Sequence, residues 1–176
     1  MYVGSGDGNL YSLNASTGEG IWSFDTGVSV PAMPAVSGGT VYFGAPDDTF
    51  YAVDADDGSE AWKSEVSGVK LTPAVAYGKV YIGTESDFLY GLNADTGEQL
   101  WSYQTEGEPT TPSVADGIVY VGTSENDFHG VDAESGDERL RHGDLGFSGR
   151  PAIVDDAIYI SGISSCARSF RGTQKE

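Results

Sequence analysis

An aromatic, an aliphatic and a small residue recur together at Tyr2-Val3-Gly4, Tyr42-Phe43-Gly44, Tyr81-Ile82-Gly83, Tyr120-Val121-Gly122 and Tyr159-Ile160-Ser161, with tyrosine spacings of 40, 39, 39 and 39. Nine residues after each of the first four tyrosines stands Tyr11, Tyr51, Tyr90 or His129. Seven further on stands Gly18, Gly58, Gly97 or Gly136, and four beyond that Trp22, Trp62, Trp101 or, in the fourth copy, Leu140. Pro34, Pro73, Pro112 and Pro151 each precede the next tyrosine by eight residues. Several landmarks kept in phase over one period mark a repeat architecture, in which each unit buries its faces against its neighbours.

Each period holds four short runs rich in Val, Ile, Tyr, Phe and Trp, punctuated by Gly, Asp, Asn and Ser. In the third copy these are Leu71–Ala76, Val80–Thr84, Phe88–Asn93 and Leu100–Gln104. No useful helical 3.6-residue pattern appears. The expected fold is all-β: a β-propeller of four-stranded antiparallel blades, about four of them, forming a partial propeller or arc. Residues 1–163 are expected to supply three strands of a first blade, three full blades and the start of a fifth. Residues 164–176 break the pattern, and Arg168, Arg171 and Lys175 crowd into them; an atypical, disordered tail is expected there. Arg150–Val154 has the character of an innermost strand. It is expected to complete the first blade, either within the chain or in a second copy, and the blade wedge favours self-association into a two-chain ring.

The stretch Ala52-Val53-Asp54-Ala55-Asp56-Asp57-Gly58-Ser59-Glu60-Ala61-Trp62 resembles the tryptophan-docking motif of the PQQ-like β-propeller repeat family. Asn14 to Trp22 and Asn93 to Trp101 are similar, and Asp132 to Gly136 fits up to the point where Leu140 replaces the tryptophan. The resemblance implies that Trp22, Trp62 and Trp101, with Gly18, Gly58, Gly97 and Gly136, are structural docking residues that lock each blade to the next. It also implies seven or eight blades in a closed ring. The quinoprotein dehydrogenases of the family add an adjacent Cys-Cys disulfide and a calcium held by Glu, Asn and Asp; this chain has no Cys-Cys pair, and the calcium ligands match no motif in it. The expectation is therefore no cofactor and a non-catalytic, BamB-like module that binds a protein or peptide through its loops. A piece of a PQQ-dependent dehydrogenase and a decayed gene fragment are the alternatives.

Charge narrows the partners. With 27 acidic against 9 basic residues and a formal net charge of −18, the surface repels phosphate backbones and anionic membranes, so no nucleic-acid partner is expected. The carboxylates are spread over every repeat and Lys is scarce. A salt-adapted, halophilic surface is favoured over a dedicated face for a cationic partner. No apolar run reaches the length of a membrane span. The chain opens Met1-Tyr2-Val3-Gly4 with no apolar leader segment, whereas the resemblance implies an extracytoplasmic location.

No residue set carries a catalytic constellation. His129 takes the place of a repeat tyrosine and is expected to be a packing residue; His142 lies beside Arg141 and Cys166 in the atypical tail. Neither histidine has spaced partners for zinc or a triad. Asp54–Gly58 superficially suggests a calcium loop, but it lacks the alternating ligand spacing and the distal Glu. Its equivalents Asn14–Gly18 and Asn93–Gly97 point to a turn.

Overall fold

A computed structural model describes residues 1–30, 33–69, 72–143, 151–154, 157–160 and 168–171. They contain no helix and form five antiparallel sheets in chain order. The first holds β1 (Tyr2–Gly4), β2 (Asn9–Leu13) and β3 (Gly20–Asp25). The second holds β4 (Ala35–Ser37), β5 (Thr40–Ala45), β6 (Thr49–Asp54) and β7 (Glu60–Glu65). The third runs through β8 (Ala74–Ala76), β9 (Lys79–Thr84), β10 (Phe88–Asn93) and β11 (Gln99–Gln104). The fourth comprises β12 (Ser113–Ala115), β13 (Ile118–Gly122), β14 (Phe128–Asp132) and β15 (Glu138–His142). The fifth comprises β16 (Ala152–Val154), β17 (Ala157–Ile160) and β18 (Arg168–Arg171). Every sheet is a meander of sequential neighbours, the arrangement of a propeller blade.

Ala152–Val154 pairs with Ala157–Ile160, so within the chain it opens the expected fifth blade and does not complete the first. Arg168–Arg171, expected in a disordered tail, pairs with Ala157–Ile160 as a third strand, because the second edge of β17 is open to a partner. Residues 161–167, with Cys166, and 172–176 lie outside the described residues. The innermost strand of the third sheet begins at Ala74, later than the expected Leu71: Pro73 offers no N–H to a ladder.

Blades in the middle of the stack bury both faces. Along β5, Val41 and Phe43 pack toward the first blade while Tyr42 packs toward the third, and each is at most 4% exposed. This explains why the inner strands read as nearly continuous apolar runs instead of alternating ones. The outermost strand departs from simple pairing. In blades one to four the register slips by one residue, between Ser12 and Leu13, Ala52 and Val53, Gly91 and Leu92, and Gly130 and Val131. The bulged residue is Ile21, Ala61, Leu100 or Arg139, which is why Ile21 and Leu100 stand in solvent. Such a bulge re-aims the next side chain, and the next side chain is the repeat's Trp22, Trp62, Trp101 or Leu140.

Candidate functional site

At each of the first three blade junctions, a phenol and an indole from one blade converge on one backbone carbonyl of the next. Tyr2 Oη and Trp22 Nε1 donate to the Ala55 carbonyl at 3.0 and 3.1 Å. Tyr42 and Trp62 donate to Ala94 at 3.2 and 2.9 Å, and Tyr81 and Trp101 to Ala133 at 3.3 Å each. A carbonyl oxygen has two lone pairs, so it can satisfy both donors. Burial pushes the Tyr81 phenol up to about 12, which keeps it a neutral donor.

The same indoles rest on glycines of the following blade. A Cβ on Gly58 would lie 2.6 Å from the Trp22 ring, one on Gly97 2.5 Å from Trp62 and one on Gly136 2.8 Å from Trp101. These glycines also hold φ between +73° and +78°, so both the turn and the ring contact exclude a side chain. Each tryptophan thus meets the next repeat's glycine, not the one four residues before it. Gly18 has the same backbone, φ +76°, but no atom of the described residues stands within 4 Å of its Cβ position.

The turns that carry these glycines are built by their own side chains. Oδ1 of Asn14, Asp54, Asn93 and Asp132 accepts the backbone N–H groups two and three residues ahead. At Asp132 the Ser135 N–H, then Arg139, hold the carboxyl down at about 2. Asp54–Gly58 is such a turn. Ser5–Gly8 likewise closes the β1–β2 hairpin through the Ser5 N–H bonded to Asn9 O.

The third junction carries a second layer of polar contacts. His129 is buried, 1% exposed, and its ring lies edge-on to Tyr103 of the preceding blade. Tyr103 Oη donates a very short hydrogen bond to Glu138. Its oxygen therefore accepts from His129 Nδ1 at 3.0 Å, which places the imidazole proton on Nδ1. His129 Nε2 is left buried with no hydrogen-bond partner among the described residues. Burial, then Arg141, pushes the His129 pKa down, against the raising effects of Asp127, Glu138 and Glu106. Arg141 bonds both oxygens of Glu106 at 2.8 and 2.6 Å and Asp127 at 2.6 Å. Lys79 pairs with Glu134 across the same junction.

His129, 1% exposed, is sealed between blades. Among the described residues no group of three or more His, Cys, Asp and Glu could hold a metal. Among the described residues no helix is long and apolar enough to cross a membrane. Sequence reasoning missed the Ala55, Ala94 and Ala133 carbonyls because they are backbone groups, although the alanines recur in phase. It also missed Tyr103 and Arg141, which appear in one repeat only, and Glu138, whose acidic equivalent recurs only at Glu60.

A family model described as outer membrane protein assembly factor BamB matches residues 6–174. No curated protein sequence matches the chain. Among solved structures, BamB from Moraxella catarrhalis superposes with a TM-score of 0.83 at 21% identity, over 97% of this chain and 54% of that one. The computationally designed Ika8 protein gives 0.83 at 19% identity with the same coverage. A quinohemoprotein alcohol dehydrogenase from Pseudomonas putida HK5 gives 0.64 at 25%, over 75% of this chain and 28% of that one. The chain thus spans about half the length of the first two. With a match that runs nearly end to end, and with tyrosine and tryptophan meeting the next repeat's alanine carbonyl and glycine at three blade junctions, the chain belongs to the BamB family of PQQ-like propeller repeats.

Proposed function

We propose that this chain is a non-catalytic propeller module that binds a protein or peptide ligand through its inter-strand loops, with Trp22, Trp62 and Trp101 as the anchors that hold the loops in register. Membership of the BamB family over residues 6–174 carries this reading. The geometry of one rim supports it. There the turns between second and third strands meet the long connections between blades, and backbone bonds tie them together. Thr26 N–H bonds Gly8 O, Val66 N–H bonds Asp48 O and Thr105 N–H bonds Asp87 O within blades. Glu85 N–H bonds Gly68 O and Ser124 N–H bonds Glu108 O between them. Loops fixed on a rigid scaffold are where repeat folds place recognition. The likeness to an outer membrane assembly factor makes a protein ligand outside the cytoplasm the natural class.

Panning a peptide display library against the chain in molar salt tests this. The proposal expects ligands whose binding is lost in Glu125→Arg, on this rim, and kept in Asp116→Arg, on the opposite one. Equal loss in both, or no ligand, would overturn it. The likeness to the quinohemoprotein dehydrogenase keeps one second reading, part of a quinoprotein. Reduction of a dye by the chain with PQQ, Ca²⁺ and an alcohol would establish that reading in place of the first.

A further inference from the structure

We infer that Asn14 is an acceptor site for N-linked glycosylation. Asn14-Ala15-Ser16 is an Asn-x-Ser sequon without proline at its centre, whereas Asn9, Asn93 and Asn126 are followed two residues on by Tyr11, Asp95 and Phe128. The triplet lies in the turn between β2 and β3, the place that Asp54-Ala55-Asp56, Asn93-Ala94-Asp95 and Asp132-Ala133-Glu134 hold in the next three repeats. Each of those has an acidic residue where the first repeat has Ser16. The turn itself uses only Oδ1 of its first residue, which accepts the N–H groups two and three residues ahead. Aspartate does this at Asp54 and Asp132, and Asn14 does it at 2.9 and 3.1 Å. The turn thus accounts for the Oδ1 of Asn14 but not for its amide nitrogen, nor for a hydroxyl at Ser16.

Both of those groups are presented to an enzyme. The two bonds to Oδ1 fix the carboxamide, and among the described residues neither Asn14 Nδ2 nor Ser16 Oγ has a hydrogen-bond partner. Asn14 and Ser16 are exposed. Exposure belongs to the turn: Asp54 is exposed as well, although Trp22 of the preceding blade rests on Gly58 of the same turn. The equivalent turns are tied to those between a blade's first and second strands, Ala55 N–H to Gly39 O and Ala94 N–H to Gly78 O. A glycan on Asn14 therefore stands on the rim opposite the loops proposed to bind a ligand and leaves them open. The two readings share only a setting outside the cytoplasm.

The donor is a lipid-linked oligosaccharide phosphate and the catalyst a separate oligosaccharyltransferase. Asn14 Nδ2 forms a bond to the anomeric carbon of the sugar as the bond from that carbon to the phosphate oxygen breaks. The lipid phosphate leaves with the electron pair, and the amide nitrogen gives up one proton to solvent.

The test incubates the folded full chain with a purified single-subunit oligosaccharyltransferase that accepts Asn-x-Ser and with a lipid-linked oligosaccharide, and reads intact mass. One added glycan, mapped to Asn14, is expected. Asn14→Asp keeps the turn as Asp54 and Asp132 do, so it should lose the glycan with no change in melting temperature. Ser16→Ala should lose it and Ser16→Thr keep it. Transfer to a peptide of residues 10–20 but not to the folded chain would overturn the inference, as would a glycan that survives Asn14→Asp or Ser16→Ala. Ligand panning does not depend on this modification, so the proposed function and this site fail separately.

Discussion

The Trp62 indole lies against Gly97 of the following blade, and its Nε1–H donates to the Ala94 carbonyl at 2.9 Å. The ring thereby joins residues more than thirty positions apart, and the same joint recurs one repeat earlier and one later. Stability of the stack should therefore be sensitive at the glycine as well as at the ring.

Gly97→Ala places a methyl where φ is +73° and a ring atom stands 2.5 Å away. A left-handed conformation costs a non-glycine residue about 1–2 kcal/mol and overpacking adds about 1–3, so the total is about 2–5 kcal/mol. Gly18→Ala carries the conformational part alone. Trp62→Ala should cost about 3–5 kcal/mol. Denaturant melts of the three variants in molar salt check the order; equal losses for Gly97→Ala and Gly18→Ala would show that the ring contact contributes nothing.

Acid should loosen the third junction. His129 titrates near 6.5 when unfolded, and burial lowers its pKa in the folded chain. Between the two values the unfolded state binds more protons, so stability rises with pH there. The stabilisation is complete above about pH 6.5 and is lost as pH falls from there through the lowered value. His129→Phe should flatten melting temperature against pH across this window while leaving the carboxylate-driven loss at lower pH. A slope unchanged in His129→Phe would assign it to other groups.

The blade pattern was legible because it is periodic: a tyrosine, glycine or tryptophan that returns every 39 or 40 residues shows itself without any knowledge of contacts. The partners of those residues were not. Trp62 reads as the end of its own Asp54-to-Trp62 motif, yet its seat is Gly97, and only the one-residue bulge at Ala61 explains how the ring reaches it. His129 reads as a substituted tyrosine; its network depends on Tyr103, Glu138 and Arg141, unique to one junction. Ala152–Val154 reads both as the start of a fifth blade and as a strand able to complete the first, because an innermost strand can pair with whichever second strand is nearest; in the structure it pairs with β17.

Salt should stabilise the fold. The 27 acidic residues outnumber the basic ones threefold, so repulsion outweighs the exposed ion pairs, and screening weakens both. Raising KCl from about 0.1 to 2 M shortens the screening length from about 10 Å to below 3 Å and should raise the melting temperature. An unchanged midpoint would remove the case for a salt-adapted surface.

Hydrogen exchange at the indole Nε1 protons tests most directly whether the blades are held by rings passed from each to the next. In molar salt, the protons of Trp62 and Trp101, both 8% exposed and bonded to Ala94 and Ala133, should exchange only with opening of the junctions. Gly97→Ala should speed Trp62 selectively and leave Trp101 protected. Exchange of both at the rate of a free indole in the parent chain would contradict the account.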